Sequence, residues 1–128
     1  MKKYIPITII ALLFFTNCNF AQKANVLNAN DFEKKILTEK NLQLIDVRTP
    51  EEFQQGFIKG AQNINIYNSN FEQEINKLDK TKPVYIYCRS GRRSSNAAQI
   101  LSKNGFKTIY DLQGGINAWI SSNKSLAK

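Results

Sequence analysis

The chain has 128 residues, a formal net charge of +8 and no histidine. The length predicts one domain, and the missing histidine excludes Cys–His and Ser–His catalysis and any histidine metal site. The positive charge favours small anionic ligands over nucleic acid, since no motif of interleaved basic and aromatic residues occurs.

Residues 1–21 have the pattern of an export signal, which predicts a mature domain over residues 22–128. Two lysines precede an apolar stretch, and polar residues then lead to Ala21, a small residue suited to cleavage. The apolar stretch is shorter than the ~20 residues of a membrane span. Cleavage before Cys18, with lipidation there and attachment to a membrane, is the alternative. In both cases we expect an exported, periplasmic bacterial protein.

Five short apolar runs rich in β-branched and aromatic residues predict the strands. In chain order they cover residues 26–27, 41–47, 64–66, 82–88 and 108–112. Helical patterns lie between these runs, so strands and helices alternate along the chain. This alternation predicts an α/β fold, with a mainly parallel central sheet flanked by helices in three layers.

Caps and apolar spacing mark the helices. The first helix is predicted to start at Asn30, with Glu33 as the second partner of a capping box. The second is predicted to start at Thr49, with Pro50 in the first helical position and Glu52 three residues after the cap. Apolar residues at helical spacing predict three further helices, near 71–78, 97–101 and 114–120.

Cys88 ends the predicted strand at 82–88 and is the only cysteine outside the predicted signal. The residues that link it to the next helix are Arg89, Ser90, Gly91, Arg92 and Arg93. Free N–H groups and the positive end of the helix dipole favour an anion in such a loop. They also favour a thiolate, so Cys88 is predicted to be a nucleophile that needs no histidine base. The alternative is an inert buried cysteine, which would not require three neighbouring arginines.

Four segments resemble the signature regions of single-domain rhodaneses, a family of sulfurtransferases. They are IDVRTPEEFQQGFIKGAQNI, YCRSGRRSSNAAQIL, NGF and DLQGGINAW, in the family's order over about residues 41–120. The resemblance implies a rhodanese-like fold and a Cys88 persulfide, loaded by a small anionic donor such as thiosulfate. The acceptor would be cyanide or a thiol, and the loop amides of residues 89–93 would hold the outer sulfur. Neither a cofactor nor a metal ion is implied, and we expect a monomer.

The same resemblance implies supporting roles for Asp46 and Arg48. Asp46 would accept hydrogen bonds from loop amides or pair with a loop arginine, and the alternative is an ordinary cap at a strand end. Arg48 would orient the loop or contact substrate, and the alternative is a salt bridge to Glu51 or Glu52. Phe57 stands where many members have histidine, so no role of that histidine transfers to this chain.

Three alternative functions share this fold. Cysteine phosphatases and arsenate reductases use a Cys-x5-Arg loop, whereas Arg93 gives Cys-x4-Arg and position 94 is serine, a smaller loop suited to one sulfur atom. A partner-docking module typically lacks the cysteine that this chain keeps. A persulfide carrier loaded by a partner protein stays open, and loading of Cys88 by thiosulfate alone would distinguish it from an enzyme.

Overall fold

The computed structural model describes residues 23–128, and a parallel five-stranded sheet runs through their centre. The strands are β1 (Asn25–Leu27), β2 (Gln43–Asp46), β3 (Gln62–Asn63), β4 (Val84–Tyr87) and β5 (Ile109–Leu112). Their spatial order is β1-β5-β4-β2-β3, and each neighbouring pair is parallel. The predicted signal and Cys18 lie outside the described residues, so export stays a prediction.

Helices cover both faces of the sheet. They are α1 (Ala29–Thr38), α2 (Pro50–Gln54), α3 (Phe71–Ile75), α4 (Arg92–Lys103) and α5 (Gly115–Ser121). Side chains of α3 and α4 pack on one face, together with Ile86 and Cys88. Side chains of α1 and α5 pack on the other face, with Tyr85 and Tyr87. The predicted three-layer α/β fold is therefore confirmed. No helix within residues 23–128 is long and apolar enough to span a bilayer.

The central strand β4 explains why Cys88 has a fixed position. All four residues of β4 are buried, because helices cover both of its faces. The register pairs Asp46 with Tyr87, and the Val47 N–H donates to the Tyr87 carbonyl at 3.1 Å. The carboxyl ends of β2 and β4 therefore lie side by side, which places the segment after Asp46 next to the loop after Cys88.

Two predicted boundaries are wrong, and a third is confirmed. The cap of α1 is Asn28, whose side chain accepts from the Asp31 N–H at 2.9 Å, so the capping box predicted at Asn30 does not form. Starting at Ala29 buries Ala29, Phe32 and Ile36 along one side of the helix. The third strand is Gln62–Asn63 rather than 64–66. The Thr49 capping box forms as predicted, since its two bonds span only three residues.

Candidate active site

Cys88 is the first residue after β4, and its thiol lies inside a tight turn. The residue is 1% exposed. Its Sγ accepts a hydrogen bond from the backbone N–H of Gly91 at 3.0 Å, and the thiol donates to Ser94 Oγ at 3.5 Å. Ser94 belongs to the first turns of α4. The sulfur therefore lies against one backbone donor and one hydroxyl group at the amino end of a helix.

Gly91 makes the turn around the sulfur. It is the N-cap of α4 and has φ 111°, in the left-handed region. A Cβ there would make only an ordinary van der Waals contact, with the Gly114 nitrogen 3.8 Å away, so the backbone conformation is what favours glycine. This conformation turns the Gly91 N–H back toward the sulfur of Cys88, where a helix N-terminus also favours negative charge.

The amino end of α5 supports the loop from beneath. The Ile116 N–H donates to the Cys88 carbonyl at 2.9 Å, and the Asn117 N–H donates to the Arg89 carbonyl at 3.1 Å. Gly115 allows this approach, because a Cβ on it would lie 2.5 Å from both carbonyl oxygens. Gly115 therefore allows the amino end of α5 to pack directly against the loop.

The three loop arginines do not form a ring around the sulfur. Arg93 turns outward and makes two hydrogen bonds to the Glu52 carboxylate, at 2.7 and 2.9 Å. Arg89 and Arg92 are exposed. The hydrogen bond from Arg93 lowers the pKa of Glu52 to about 2, and burial opposes this shift only in part. Glu52 raises the pKa of Arg93, and Cys88 contributes to that rise, so the Arg93 charge acts at the thiol.

Asp46 and Arg48 pair with each other. Asp46 therefore takes neither the loop amides nor a loop arginine as its partner and instead caps the end of its strand, while Arg48 pairs with Asp46 rather than with Glu51 or Glu52. Asp46 accepts from the Arg48 backbone N–H at 2.9 Å, from its Nε at 3.0 Å and from its terminal nitrogen at 2.6 Å. That terminal nitrogen also donates to the Gly56 carbonyl at 2.8 Å. Burial is the largest single influence and lowers the pKa of Arg48, but the hydrogen bond and charge of Asp46, with smaller contributions from Tyr87 and Glu52, together outweigh it and the pKa is raised. The buried pair fixes the chain on both sides of α2, the helix that carries Glu52.

A family model described as a rhodanese-like domain matches residues 28–122. The chain belongs to the rhodanese family.

Known proteins similar to this rhodanese domain include enzymes and uncharacterised chains. It is 37% identical to the uncharacterised protein YqhL of Bacillus subtilis, over 90% of both chains. It is 39% identical to the thiosulfate sulfurtransferase GlpE of Shewanella oneidensis, over 66% of this chain and 81% of that protein. A rhodanese-related crystal structure from Thermoplasma volcanium aligns with a TM-score of 0.70 at 31% identity, over 80% and 97% of the two chains. These similarities support a sulfurtransferase-like role.

Beside the loop, the rhodanese domain has a mainly polar pocket of about 210 Å³. Its lining includes Arg48, Glu52, Arg89, Asn117 and Leu126. Guanidinium and amide groups here can bind a small anion. No group of three potential metal ligands occurs within residues 23–128.

The carboxyl-terminal segment reaches this pocket, which the sequence did not indicate. Phe57 and Ala127 exchange two backbone hydrogen bonds, of 3.0 and 2.8 Å. The ring of Phe57 stacks on Phe53 at 4.2 Å between centroids. Where many rhodaneses have histidine, this chain therefore has Phe57, whose ring contacts α2 and whose backbone pairs with Ala127.

Proposed function

We propose that this rhodanese domain transfers a sulfane sulfur from a small anionic donor, such as thiosulfate, to a thiophilic acceptor through a Cys88 persulfide. The observation that carries the proposal is the 3.0 Å hydrogen bond from the Gly91 N–H to Sγ. A backbone donor directed at Sγ stabilises the thiolate that attacks the donor and is regenerated at the end. In the persulfide the negative charge lies on the outer sulfur, which the N–H groups of the loop would stabilise in the same way. The amino end of α4 adds to this effect.

In the first step the Cys88 thiolate attacks the outer sulfur of thiosulfate. A new S–S bond forms to Sγ, the donor's S–S bond breaks, and sulfite leaves with the electron pair. In the second step cyanide attacks the outer sulfur of the persulfide, the new S–S bond breaks, and thiocyanate leaves. Charge balances in both steps, and the thiolate is regenerated without a proton transfer. This is covalent catalysis in two halves.

Loop size favours sulfur over phosphorus. Four residues separate Cys88 from Arg93, and Arg93 is turned away toward Glu52 rather than inward. A phosphate or arsenate needs several donors arranged around a tetrahedral anion. Here the sulfur itself occupies the space beneath the Gly91 N–H. We therefore favour a single-sulfur site over a phosphatase or arsenate reductase.

The test is thiosulfate:cyanide transfer by the unsubstituted protein and by Cys88→Ser. The substitution should lower turnover by about a thousandfold or more, since it removes the covalent nucleophile, while circular dichroism stays unchanged. Intact mass after thiosulfate alone should show one added sulfur, ~32 Da on the thiol. Transfer only from a partner's persulfide would instead favour a carrier. Faster hydrolysis of an aryl phosphate than sulfur transfer would contradict the proposal.

A further inference from the structure

A carboxylate that the proposed mechanism does not use lies behind Cys88. Asp111 is on β5, in register with Ile86 of β4, and so faces α4 on the same side of the sheet as Cys88. It is 5% exposed, and its Oδ1 has no hydrogen-bond partner among the described residues. Burial raises the pKa of Asp111 to about 6, and the nearby Ser94 hydroxyl offsets only part of this rise.

Ser94 lies between this carboxyl group and the sulfur. It is fully buried, and its Oγ is 3.5 Å from Cys88 Sγ and 3.2 Å from the Gly91 carbonyl oxygen, to which it donates. A serine hydroxyl has one hydrogen to donate and two positions that accept. The Gly91 carbonyl, the Asp111 carboxylate and a Cys88 anion therefore compete for one hydrogen.

We propose that Asp111 is a positioning residue that controls, through Ser94, how strongly the sulfur anion of Cys88 is stabilised. When Asp111 is neutral, its carboxyl hydrogen is donated to Ser94 Oγ, and the Ser94 hydrogen is free to turn from Gly91 to the sulfur. When Asp111 is ionised, it attracts the Ser94 hydrogen and places a negative charge behind a negative sulfur. The inference deepens the proposed function and rests on it for its biological meaning.

Asp111 lines a cavity of about 350 Å³ between the start of β1 and α4, together with apolar Ala24, Val26 and Ala98. Because its carboxyl group reaches this cavity, Asp111 can gain or lose a proton without unfolding of the domain. The other charged groups at this cavity are Lys23, before β1, and Lys103, at the end of α4.

The surroundings of Asp111 determine the pH range over which its carboxyl group is neutral or ionised. Burial is the larger influence on the pKa of Asp111 and raises it, and the hydrogen bond with Ser94 acts in the opposite direction. The Cys88 anion at the end of β4 opposes ionisation. Lys35 of α1 lies on the opposite face of the sheet, over Tyr110. Asp111 is therefore neutral below about pH 6 and charged above it.

The first test compares alkylation of Cys88 by iodoacetamide in the unsubstituted protein and in Asp111→Asn, from pH 5 to pH 7. Alkylation requires the sulfur anion but no sulfur transfer. The ratio of the Asp111→Asn rate to the unsubstituted rate should be near one at pH 5. It should rise through pH 6 to at least about fivefold, as expected for removal of one nearby charge. A ratio that stays constant across this range overturns the proposal.

Two further variants test whether Asp111 acts on Cys88 through the Ser94 hydroxyl or through a general change in the cavity. Ser102 lines the same cavity, and its buried hydroxyl, unlike that of Ser94, has no hydrogen-bond partner among the described residues; Ser102→Ala removes it. Its rate ratio should stay flat with pH. In a Ser94→Ala background, the effect of Asp111→Asn should shrink to less than half, because only the direct charge effect remains. An undiminished effect there would overturn the role of Ser94.

A second measurement needs no substitution at Asp111. Coupling between two charges is reciprocal, so removing the sulfur anion must ease ionisation of Asp111. The carboxyl ¹³C titration of Asp111 should move to lower pH in Cys88→Ser, and an unchanged titration would overturn the proposal. If thiosulfate transfer is absent but both pH effects occur, the proposed function fails and the positioning role stands. If thiosulfate transfer occurs without either pH effect, the proposed function stands and the positioning role of Asp111 fails.

Discussion

The Cys88 loop is supported on two sides, in two different ways. Beneath it, the backbone of α5 contacts the backbone of the loop directly, with Gly115 against the carbonyls of Cys88 and Arg89. On the outer side, Arg93 is held by Glu52 through a half-buried ion pair. The inner contact has no flexible side chain to adjust, whereas the outer one depends on two long side chains and on charge.

The two supports have different roles: the inner contact sets the position of the loop, and the outer ion pair sets the charge near the sulfur. The inner contact fixes where the Gly91 N–H lies relative to the sulfur, and a shift of ~1 Å there can cost about a hundredfold in rate. The outer pair sets how much positive charge acts at the sulfur, and solvent weakens it. Substitutions beneath the loop should therefore affect folding and activity together, while substitutions at the outer pair should affect activity more than stability.

Gly115→Ala is expected to have the largest effect on stability. Its φ is +61°, and the new Cβ would lie 2.5 Å from backbone atoms that cannot rotate away. The free energy of unfolding should fall by about 3 kcal/mol or more, and sulfur transfer should fall with it. Urea denaturation measures the first effect and the thiosulfate assay the second.

Gly105→Ala is the matched control for this substitution. Gly105 also has a left-handed backbone, with φ +90°, but the nearest atom to a new Cβ is Lys80 Cδ at 3.9 Å. It should lose only about 1 kcal/mol, the cost of the strained backbone. Equal losses in the two variants would show that the contact with the loop adds nothing.

Arg93→Ala is expected to lower the rate of sulfur transfer. It removes a charge that acts at the sulfur and leaves Glu52 facing the loop without its partner. Transfer should fall by about tenfold or more. Arg93→Lys should recover only part of the loss, because an ammonium group cannot make the two-pronged contact.

Arg92→Ala is the control for the charge itself, since Arg92 is a neighbouring, exposed arginine of the same loop. It should change steady-state transfer by less than about threefold, as solvent screens its charge. A larger effect from Arg92 than from Arg93 would contradict the importance of the pair with Glu52.

Glu52→Gln is expected to give the smallest effect, one that depends on pH. The pKa of Glu52 is lowered to about 2 in the folded protein, mainly by Arg93, from an ordinary value of 4.5. The pair therefore stabilises the fold above pH 4.5, and this stabilisation is lost as the pH falls toward 2. Because the pair is partly exposed, the loss in Glu52→Gln should be about 1 kcal/mol at pH 7 and absent near pH 2.

Thermal denaturation of Glu52→Gln at several pH values tests this, with Glu74→Gln beside it. Glu74 pairs with Lys77 on the surface, at 2.8 Å, with the lysine side chain 70% exposed. That substitution should change stability by less than about 0.5 kcal/mol at any pH. A pH-independent loss in Glu52→Gln would mean that Glu52 stabilises the fold through packing and the α2 cap rather than through its charge.

The sequence by itself determined the features that depend on neighbours in the chain. The alternation of strands and helices fixed the α/β class, and the three-residue spacing of Thr49 and Glu52 fixed the start of α2. The position of Cys88, between a buried strand and a helix with Gly91 before it, marked the candidate site. Each of these rests on hydrogen bonds or periodicities that span a few residues, so the pattern is visible in the sequence.

Only the tertiary structure decided which partners the charged side chains take. Arg93 lies 41 positions from Glu52, and Ser94 meets Asp111 only because α4 packs over β5. Asp46 pairs with Arg48, only two residues on, and the fold buries both side chains together. The sequence predicted the cap of α1 at Asn30, whereas the helix is capped by Asn28 and buries Phe32 and Ile36. Such choices depend on strand register and helix packing, which bring together residues that no local pattern relates.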